Sequence, residues 1–204
     1  MSGASGAIGV FINCPYDDEY TPFFQAAIFT VTRCGFNARS AAEVVGSAKN
    51  RIDKIMQIIS ECPLGIHDIS RTELDPKHKL PRFNMPFELG LFLGARYFGN
   101  GVQKKKDCIV LDINVERYHY SLSDLKGQDI AAHGNDPQLL VTAVRDFLNS
   151  HSSKPLPDGE VIWGEYQTFR GKIPEICTGL ELNPARLEFR DFAYIVSNYV
   201  SLSR

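Results

Sequence analysis

The sequence has no apolar run near the roughly 20 residues that a membrane-spanning helix needs. It also has no C-x-x-C motif, and an odd number of widely spaced cysteines is typical of reduced thiols rather than of a disulfide framework or a zinc site. The cysteines are Cys14, Cys34, Cys62, Cys108 and Cys177. The small, polar N-terminal segment has none of the features of a signal peptide. We therefore expect a cytoplasmic protein that does not contact a membrane.

Several motifs that bind phosphates or activate nucleophiles are also absent. There is no G-x-G-x-x-G and no G-x-x-x-x-G-K-[ST], which argues against an ordinary dinucleotide dehydrogenase and against a P-loop enzyme. No serine lies in a G-x-S-x-G turn, and no pair of histidines has the spacing of zinc ligands. We expect neither a metal nor a resident cofactor.

Charge of one sign is scarce as well. The 204 residues carry a formal net charge of -2, and the single basic run, at 104–106, is interpreted as a solvated turn. A nucleic-acid-binding surface needs clustered positive charge, so we expect no nucleic-acid partner. The hydrophobic content of 44% is typical of a soluble globular protein that can bury a useful core.

The hydrophobic periodicity predicts strands alternating with helices. Four strands are predicted at residues 8–13, 36–41, 64–70 and 107–113, with a further short strand or turn within 118–136. Helices are predicted between these strands and over 137–150. Alternating strands and helices imply a parallel sheet with right-handed crossovers. The simplest such fold is a flavodoxin-like, doubly wound, mostly parallel α/β sheet of four or five strands with helices on both faces.

The composition changes after this α/β pattern. Residues 152–159 read Ser-Ser-Lys-Pro-Leu-Pro-Asp-Gly, which is typical of a linker. We assign residues 1–151 to an α/β domain and residues 152–204 to the linker and a C-terminal helical extension. Its two predicted helices, at about 159–173 and 184–202, either pack back on the sheet or present a surface to a partner.

Polar residues follow the predicted strands. In open α/β sheets the ligand site lies at the carboxyl ends of the strands. The side chains at these ends and in the following loop are Asn13, Pro15, Tyr16, Asp17, Arg39, Glu43, His67, Asp68, Ser70, Arg71, Arg82, Asn84, Glu88 and Asp112. This set, rich in carboxylates, amides and arginines, would suit a sugar with hydroxyl groups and a nearby phosphate. Because adjacent strand residues point to opposite faces, we favour Asp68 as the site residue and a packing or hydrogen-bonding role for His67.

One acid, Glu88, interrupts an almost wholly apolar stretch from residue 85 to residue 98. The stretch predicts a helix that is buried nearly all round, with Asn84 as its N-cap. A buried carboxylate needs a partner or a function, because an unpaired one is costly. Two interpretations remain open here. Glu88 either forms a buried salt bridge with Arg82, Arg71 or Arg39, or it is a catalytic carboxylate at the mouth of the sheet.

Three segments together resemble one superfamily. They are Phe-Ile-Asn-Cys-Pro-Tyr at 11–16, His-Asp-Ile-Ser at 67–70 and Asn-Met-Pro-Phe-Glu-Leu-Gly-Leu-Phe-Leu-Gly-Ala at 84–95. Nucleoside 2-deoxyribosyltransferases and TIR domains have similar segments in the same architecture, and the resemblance covers about residues 8–150. In these families a glutamate acts at the anomeric carbon of a ribosyl N-glycoside.

The resemblance implies catalytic roles for Glu88 and Asp68. Asp68 would hold the sugar hydroxyls or act on the base, and Tyr16 would flank the ligand. Arg82 and Asn84 would orient Glu88 or contact a phosphate. The residues assigned to substrate binding are Asn13, Pro15, Tyr16, Asp17, Arg39, Ser70, Arg71, Arg82, Asn84 and Met85. Bacterial stand-alone nucleotide-binding proteins of this TIR-like type are often associated with antiphage defence.

Three functions follow from these expectations. The first is an enzyme that hydrolyses or transfers the N-glycosidic bond of a nucleotide or nucleoside, with NAD as the first candidate for substrate. The second is a non-catalytic nucleotide sensor, in which Glu88 binds a ribose hydroxyl. The third is a scaffold that assembles through the sheet domain, as TIR domains do, which would make the protein a homo-oligomer.

Overall fold

The computed structural model describes residues 6–43, 46, 50–71, 74 and 77–202. Its centre is a parallel sheet of five strands in the order β2-β1-β3-β4-β5. The strands are β1 (Gly9–Asn13), β2 (Asn37–Arg39), β3 (Leu64–Asp68), β4 (Asp107–Asp112) and β5 (Ile130–Ala132). This strand order is that of the flavodoxin-like doubly wound fold, so the predicted fold class is confirmed.

Helices cover both faces of the sheet. Those in the described part of the chain are α1 (Thr21–Arg33), α2 (Arg51–Glu61), α3 (Asn84–Phe98), α4 (Pro137–Asn149), α5 (Gly159–Gly179) and α6 (Phe189–Leu202). Helices α1 and α4 pack on one face, and α2 and α3 pack on the other. Across the described ranges, no helix has both the length and the apolar character needed to cross a membrane.

The alternation of side chains along each strand decides which residues can meet. Val10 and Ile12 of β1 pack against α1 and α4, whereas Phe11 packs against α2 and α3. In β3, Ile66 lies on the α1 face and His67 on the α3 face, where its ring contacts those of Phe11 and Phe92. Polar residues at the strand ends likewise point either to the α1 face or to the α3 face.

Helix α1 is enclosed from both sides. Its residues 26–31 are all buried, because the sheet covers one side and helices α5 and α6 cover the other. The hydroxyl of Thr30 donates to the backbone carbonyl four residues earlier at 2.8 Å, so its burial leaves no unpaired donor. Helices α5 and α6 thus form a third layer on the α1 face, filled by Tyr166, Phe169 and Phe192.

Helix α3 differs from its prediction in two ways. The expectation that it is buried nearly all round is wrong, because its opposite face is exposed, including 56% of Phe87 and 90% of Phe98. The predicted N-cap is also wrong, since the helix begins at Asn84, with Phe83 in the capping position and no side-chain cap. The buried residues of α3 are Met85, Glu88, Leu89 and Phe92.

The two C-terminal helices differ from their predicted bounds at the end of α5 and at the start of α6. Helix α5 continues to Gly179 through the exposed Pro174, and a 3₁₀ turn over Pro184–Arg186 precedes α6. A proline in a helix interior removes one backbone hydrogen bond. The burial of Cys177 one turn later keeps the last part of α5 on the core.

Lys106 also differs from its prediction as part of a solvated turn. It is 2% exposed, and its Nζ donates to the carbonyl oxygens of Ile59 and Cys62, each at 2.5 Å. The same atom lies 4.9 Å from the ring centroid of Phe92. A cation is favourable at a helix C-terminus, so Lys106 stabilises the end of α2.

Because α5 and α6 share one core with α1, we expect the chain to unfold as one unit. The single tryptophan, Trp163, lies in α5 and reports this layer, while far-UV circular dichroism reports the whole chain. In urea, the two signals should give coincident transitions. Phe169 is fully buried, so Phe169→Ala should shift both transitions together and lower the free energy of unfolding by about 3–5 kcal/mol.

The exposed Tyr194 of α6 provides the matched control, because Tyr194→Ala removes an aromatic ring outside the core. It should change the free energy of unfolding by less than about 1 kcal/mol. Separate transitions for tryptophan fluorescence and circular dichroism would show instead that α5 and α6 form an independent unit.

Candidate functional site

The candidate site lies where the direction of the sheet connections reverses. The chain leaves β1 toward β2 on one side and leaves β3 toward β4 on the other, and ligands of doubly wound sheets bind at the carboxyl ends of the strands at such a reversal, here β1 and β3. Asn13 and His67 are paired neighbours at these two ends. The first turn of α3 lies against them on the α3 face.

The side chain of Asn13 joins the sheet to α3. Its Nδ2 donates to the backbone carbonyl of Met85 at 2.9 Å and lies 3.0 Å from Nδ1 of His67. Burial lowers the pKa of His67 to about 3, so the ring is neutral and its Nδ1 accepts the second hydrogen bond. Both hydrogens of the amide are thus used. The carbonyl oxygen of Asn13 is buried and has no hydrogen-bond partner among the described residues.

Glu88 lies one turn further along α3, on the same face as Met85. Its side chain is 3% exposed, and Oε2 has no hydrogen-bond partner within the described part of the chain. Burial raises the pKa of Glu88 to about 7, against a smaller opposite effect from the positive charge of Arg51. The carboxyl group is therefore half protonated near neutral pH.

The three arginines that the sequence offered as partners of Glu88 lie elsewhere. Arg39 forms ion pairs with Glu43 and Glu61, at 2.6 and 3.0 Å. Arg71 lies 2.9 Å from Glu19 and 3.7 Å from Asp17, and Arg82 is exposed. Among the residues that the structure describes, Glu88 has no ion pair, so the buried salt bridge with Arg82, Arg71 or Arg39 is not formed.

The charge of Glu88 acts on Cys14 and Tyr16, two residues that follow β1. The buried thiol of Cys14, which belongs to the core on the α1 face, has its pKa raised by burial and then by the negative charges of Asp68 and Glu88. Burial raises the pKa of Tyr16 as well, and Glu88 adds to this. The phenol oxygen of Tyr16 lies 2.8 Å from Oγ of Ser40, and 38% of Tyr16 is exposed, so this ring forms the rim of the site.

Asp68 points to the α1 face, away from Glu88. It is fully buried, accepts a hydrogen bond of 2.5 Å from the hydroxyl of Tyr20, and accepts another of 2.8 Å from the backbone N–H of Ser70. Nε2 of His133 lies 3.2 Å from Oδ2, the same oxygen that accepts from Tyr20, without the geometry of a hydrogen bond. Nδ1 of His133 accepts a hydrogen bond from the backbone N–H of Asn135. Both carboxylate oxygens therefore have partners from the protein.

The structure brings together only part of the predicted set. Asn13 is hydrogen-bonded to Met85, Glu88 follows one turn later on the same face of α3, and the charge of Glu88 reaches Tyr16 and Cys14. Pro15 is buried between Cys14 and Tyr16 in the chain. Asp68 and Ser70 belong to the buried cluster on the α1 face. The remaining predicted residues are ion-paired or exposed side chains: Asp17, Arg39, Arg71, Arg82 and Asn84.

Sequence reasoning missed several residues of these clusters. Ser40 directly follows β2, so the rule that selected the other strand ends could have found it. His133 directly follows β5, a strand that the sequence left open, and nothing in the pattern pointed to it. Tyr20 precedes α1 and Arg51 begins α2, and no spacing marks either residue as acting on one of the two carboxylates. Within the described ranges, no group of three acidic, histidine or cysteine side chains could hold a metal ion.

The unpaired burial of Glu88 predicts a pH-dependent effect of Glu88→Gln on stability. The unfolded chain ionises this carboxyl near pH 4.5, whereas the folded protein ionises it near 7. Ionisation of the buried carboxyl thus does not destabilise the folded state below pH 4.5, and its destabilising effect is complete above pH 7. The glutamine variant never ionises, so relative to wild type it should gain about 3 kcal/mol between pH 4 and pH 8.

Urea unfolding at both pH values measures this change, and Glu175→Gln, at an exposed position of α5, is the matched control with no expected pH-dependent difference. If Glu88 were instead half of a buried ion pair, Glu88→Gln would cost about 3–5 kcal/mol at pH 8.

Comparison of this chain with protein-family models, with curated proteins and with solved structures gives no match. The resemblance to nucleoside 2-deoxyribosyltransferases and TIR domains therefore depends on the three segments at 11–16, 67–70 and 84–95 alone.

Proposed function

We propose that this protein hydrolyses or transfers the N-glycosidic bond of a nucleotide or nucleoside, with Glu88 as the catalytic carboxylate and NAD as the first candidate for substrate. The observation that carries this proposal is the buried oxygen Oε2 of Glu88, which has no partner among the described residues. Buried carboxylates are normally paired, and strongly raised pKa values are concentrated at functional sites.

A sugar suits the hydrogen-bonding character of the group. The carbonyl oxygen of Asn13 and Oε2 of Glu88 are both buried acceptors without donors in the described part of the chain. Asn13 is hydrogen-bonded to the carbonyl of Met85 at the first turn of α3, and Glu88 follows Met85 by one turn. Hydroxyl groups of a ribose are donors that would satisfy such acceptors. Tyr16, at the rim, would flank the base.

The chemistry needs only one free carboxylate when the leaving base is cationic. The bond between C1′ and the ring nitrogen breaks, and the base takes the electron pair. Nicotinamide leaves NAD as a neutral molecule in this way and needs no proton. The ionised Glu88 stabilises the oxocarbenium-like transition state or forms a bond to C1′, and water or another acceptor then attacks C1′ and frees the carboxylate. A neutral nucleoside would need a proton donor as well, which is why NAD comes first.

The alternative is a nucleotide-binding sensor without catalysis. The observation that favours it is the environment of Asp68, whose oxygens contact Tyr20, Ser70 and His133. The second carboxylate of a two-carboxylate mechanism would therefore be occupied. The scaffold hypothesis, together with its association with antiphage defence, stays a prediction.

Release of the base tests the proposal. Incubation with NAD, and separately with deoxynucleosides, should release nicotinamide or a free base, as measured by chromatography. Glu88→Gln should lower this rate by a factor of about 10³ or more, because the group that acts at C1′ is lost. Glu175→Gln on α5 should leave the rate unchanged. A rise in melting temperature with nucleotide, without release, would favour the sensor.

The pH dependence of the rate distinguishes two roles for Glu88. As a nucleophile or charge stabiliser, Glu88 acts in its ionised form, so the rate should rise with pH and level off above about 7. This is measured as initial rates of base release from pH 5 to pH 9 at saturating NAD. A rate that falls above pH 7 would mean that the protonated form acts, as a general acid.

A further inference from the structure

Helix α3 has two apolar faces on opposite sides. Its inner face packs on the sheet and includes Glu88 and Phe92. At 100° per residue, the positions that point directly away from this face carry aromatic residues at both ends of the helix and glycine in the middle. These outer residues, which we call the α3 outer face, are Phe83, Phe87, Gly90, Gly94, Tyr97 and Phe98.

The outer face exposes an apolar area at the upper end of the range found on isolated proteins. Its aromatic residues are between 56% and 90% exposed. At about 200 Å² for each aromatic side chain, they leave on the order of 500–600 Å² of apolar surface uncovered. The largest apolar patch of a typical monomer is about 300–600 Å², and a standard interface buries about 800 Å² per partner. The face alone is thus smaller than one side of a standard interface, and the groove beside it extends the face toward that size.

A groove lies next to the aromatic residues. It has a volume of about 470 Å³ and runs between α2 and α3, with Met56 and Ile59 on one side and Gly90, Gly94 and Ala95 on the other. Apart from the backbone of α3 itself, the described residues place no atom within 4 Å of where a Cβ at Gly90 would stand, and at Gly94 the nearest is Cδ2 of Phe98, 3.9 Å away. The two glycines therefore leave a notch open toward solvent.

The outer face is complementary to itself when reversed. If a second copy of α3 crosses in the opposite direction about a two-fold axis between residues 90 and 91, then residue i meets residue 181 − i of the partner. Phe83 then meets Phe98, and Phe87 meets Gly94. The ring of Phe87 in each copy therefore enters the notch of the other copy. The symmetric contact contains two such insertions. A two-fold interface requires this kind of pairing, in which i contacts j and j contacts i.

We propose that the α3 outer face binds a second copy of this chain, with the two α3 helices antiparallel and Phe87 of each in the Gly90–Gly94 notch of the other. The occupant is a second copy because knob and notch lie on one face at symmetry-related positions. This inference does not depend on the proposed function, since Glu88 lies on the opposite side of α3.

Sedimentation velocity of the full chain tests the dimer. Wild type should sediment as a concentration-dependent dimer. Phe87→Glu should raise the dissociation constant roughly 30-fold or more, as expected for a central contact. Gly94→Leu should do the same by filling the notch, while its melting temperature as a monomer stays level or rises, because glycine is a poor helix former and the site has room.

Tyr194→Glu, at an exposed aromatic position of α6, is the matched control and should leave the dimer intact. A wild-type chain that is monomeric throughout, or a dimer that survives both Phe87→Glu and Gly94→Leu, would overturn the proposal.

Cysteine cross-linking tests the antiparallel direction. Chains with Phe83→Cys and chains with Phe98→Cys, mixed and treated with a mild oxidant, should form disulfide-linked dimers that contain one of each, distinguished by a mass tag. Each variant alone should form none. Cross-linking of either variant with itself, or no cross-linking in the mixture, would contradict the proposed register.

Discussion

The side-chain amide of Asn13 is the contact on which the arrangement of this molecule depends. It ends β1, uses one N–H on the neutral ring of His67 in β3 and the other on the carbonyl of Met85 in α3. Three separate segments thereby meet at the reversal point of the sheet. Because the hydrogen bond to Met85 fixes the first turn of α3, it also fixes which residues of that helix face the sheet.

The orientation of α3 about its own axis has two consequences. On the inner side it carries Glu88 into a buried position where the described residues offer no ion pair, and burial raises the pKa of that carboxyl. On the outer side it leaves Phe87 and Phe98 exposed beside an open groove. The candidate site and the candidate interface are therefore opposite faces of one helix, and each would constrain the other through the orientation of α3.

The two buried carboxylates near the strand ends have different environments. Asp68 points to the α1 face and is surrounded by Tyr20, Ser70 and His133, which make it part of the packing between β3, β5 and α1. Glu88 points from α3 toward the other face. This separation follows from the two-residue period of a strand, since His67 rather than Asp68 shares a face with Asn13. Because Asp68 has partners from the protein, Glu88 is the one of these two carboxylates that could act on a ligand. This favours substrates whose reaction needs a single carboxylate.

The sequence by itself determined the order of strands and helices, and with it the parallel sheet, because period-2 and period-3.6 patterns are local properties of the chain. It also marked Glu88, since an acid inside an apolar stretch is conspicuous without any structure. It could not decide which apolar helix is enclosed. Residues 26–31 of α1 are buried on all sides because α5 and α6 return from far along the chain, whereas no helix in the described part of the chain covers the outer side of α3. Only the tertiary structure could place His133 against Asp68, or Lys106 on the end of α2, because these contacts join residues that no local spacing relates.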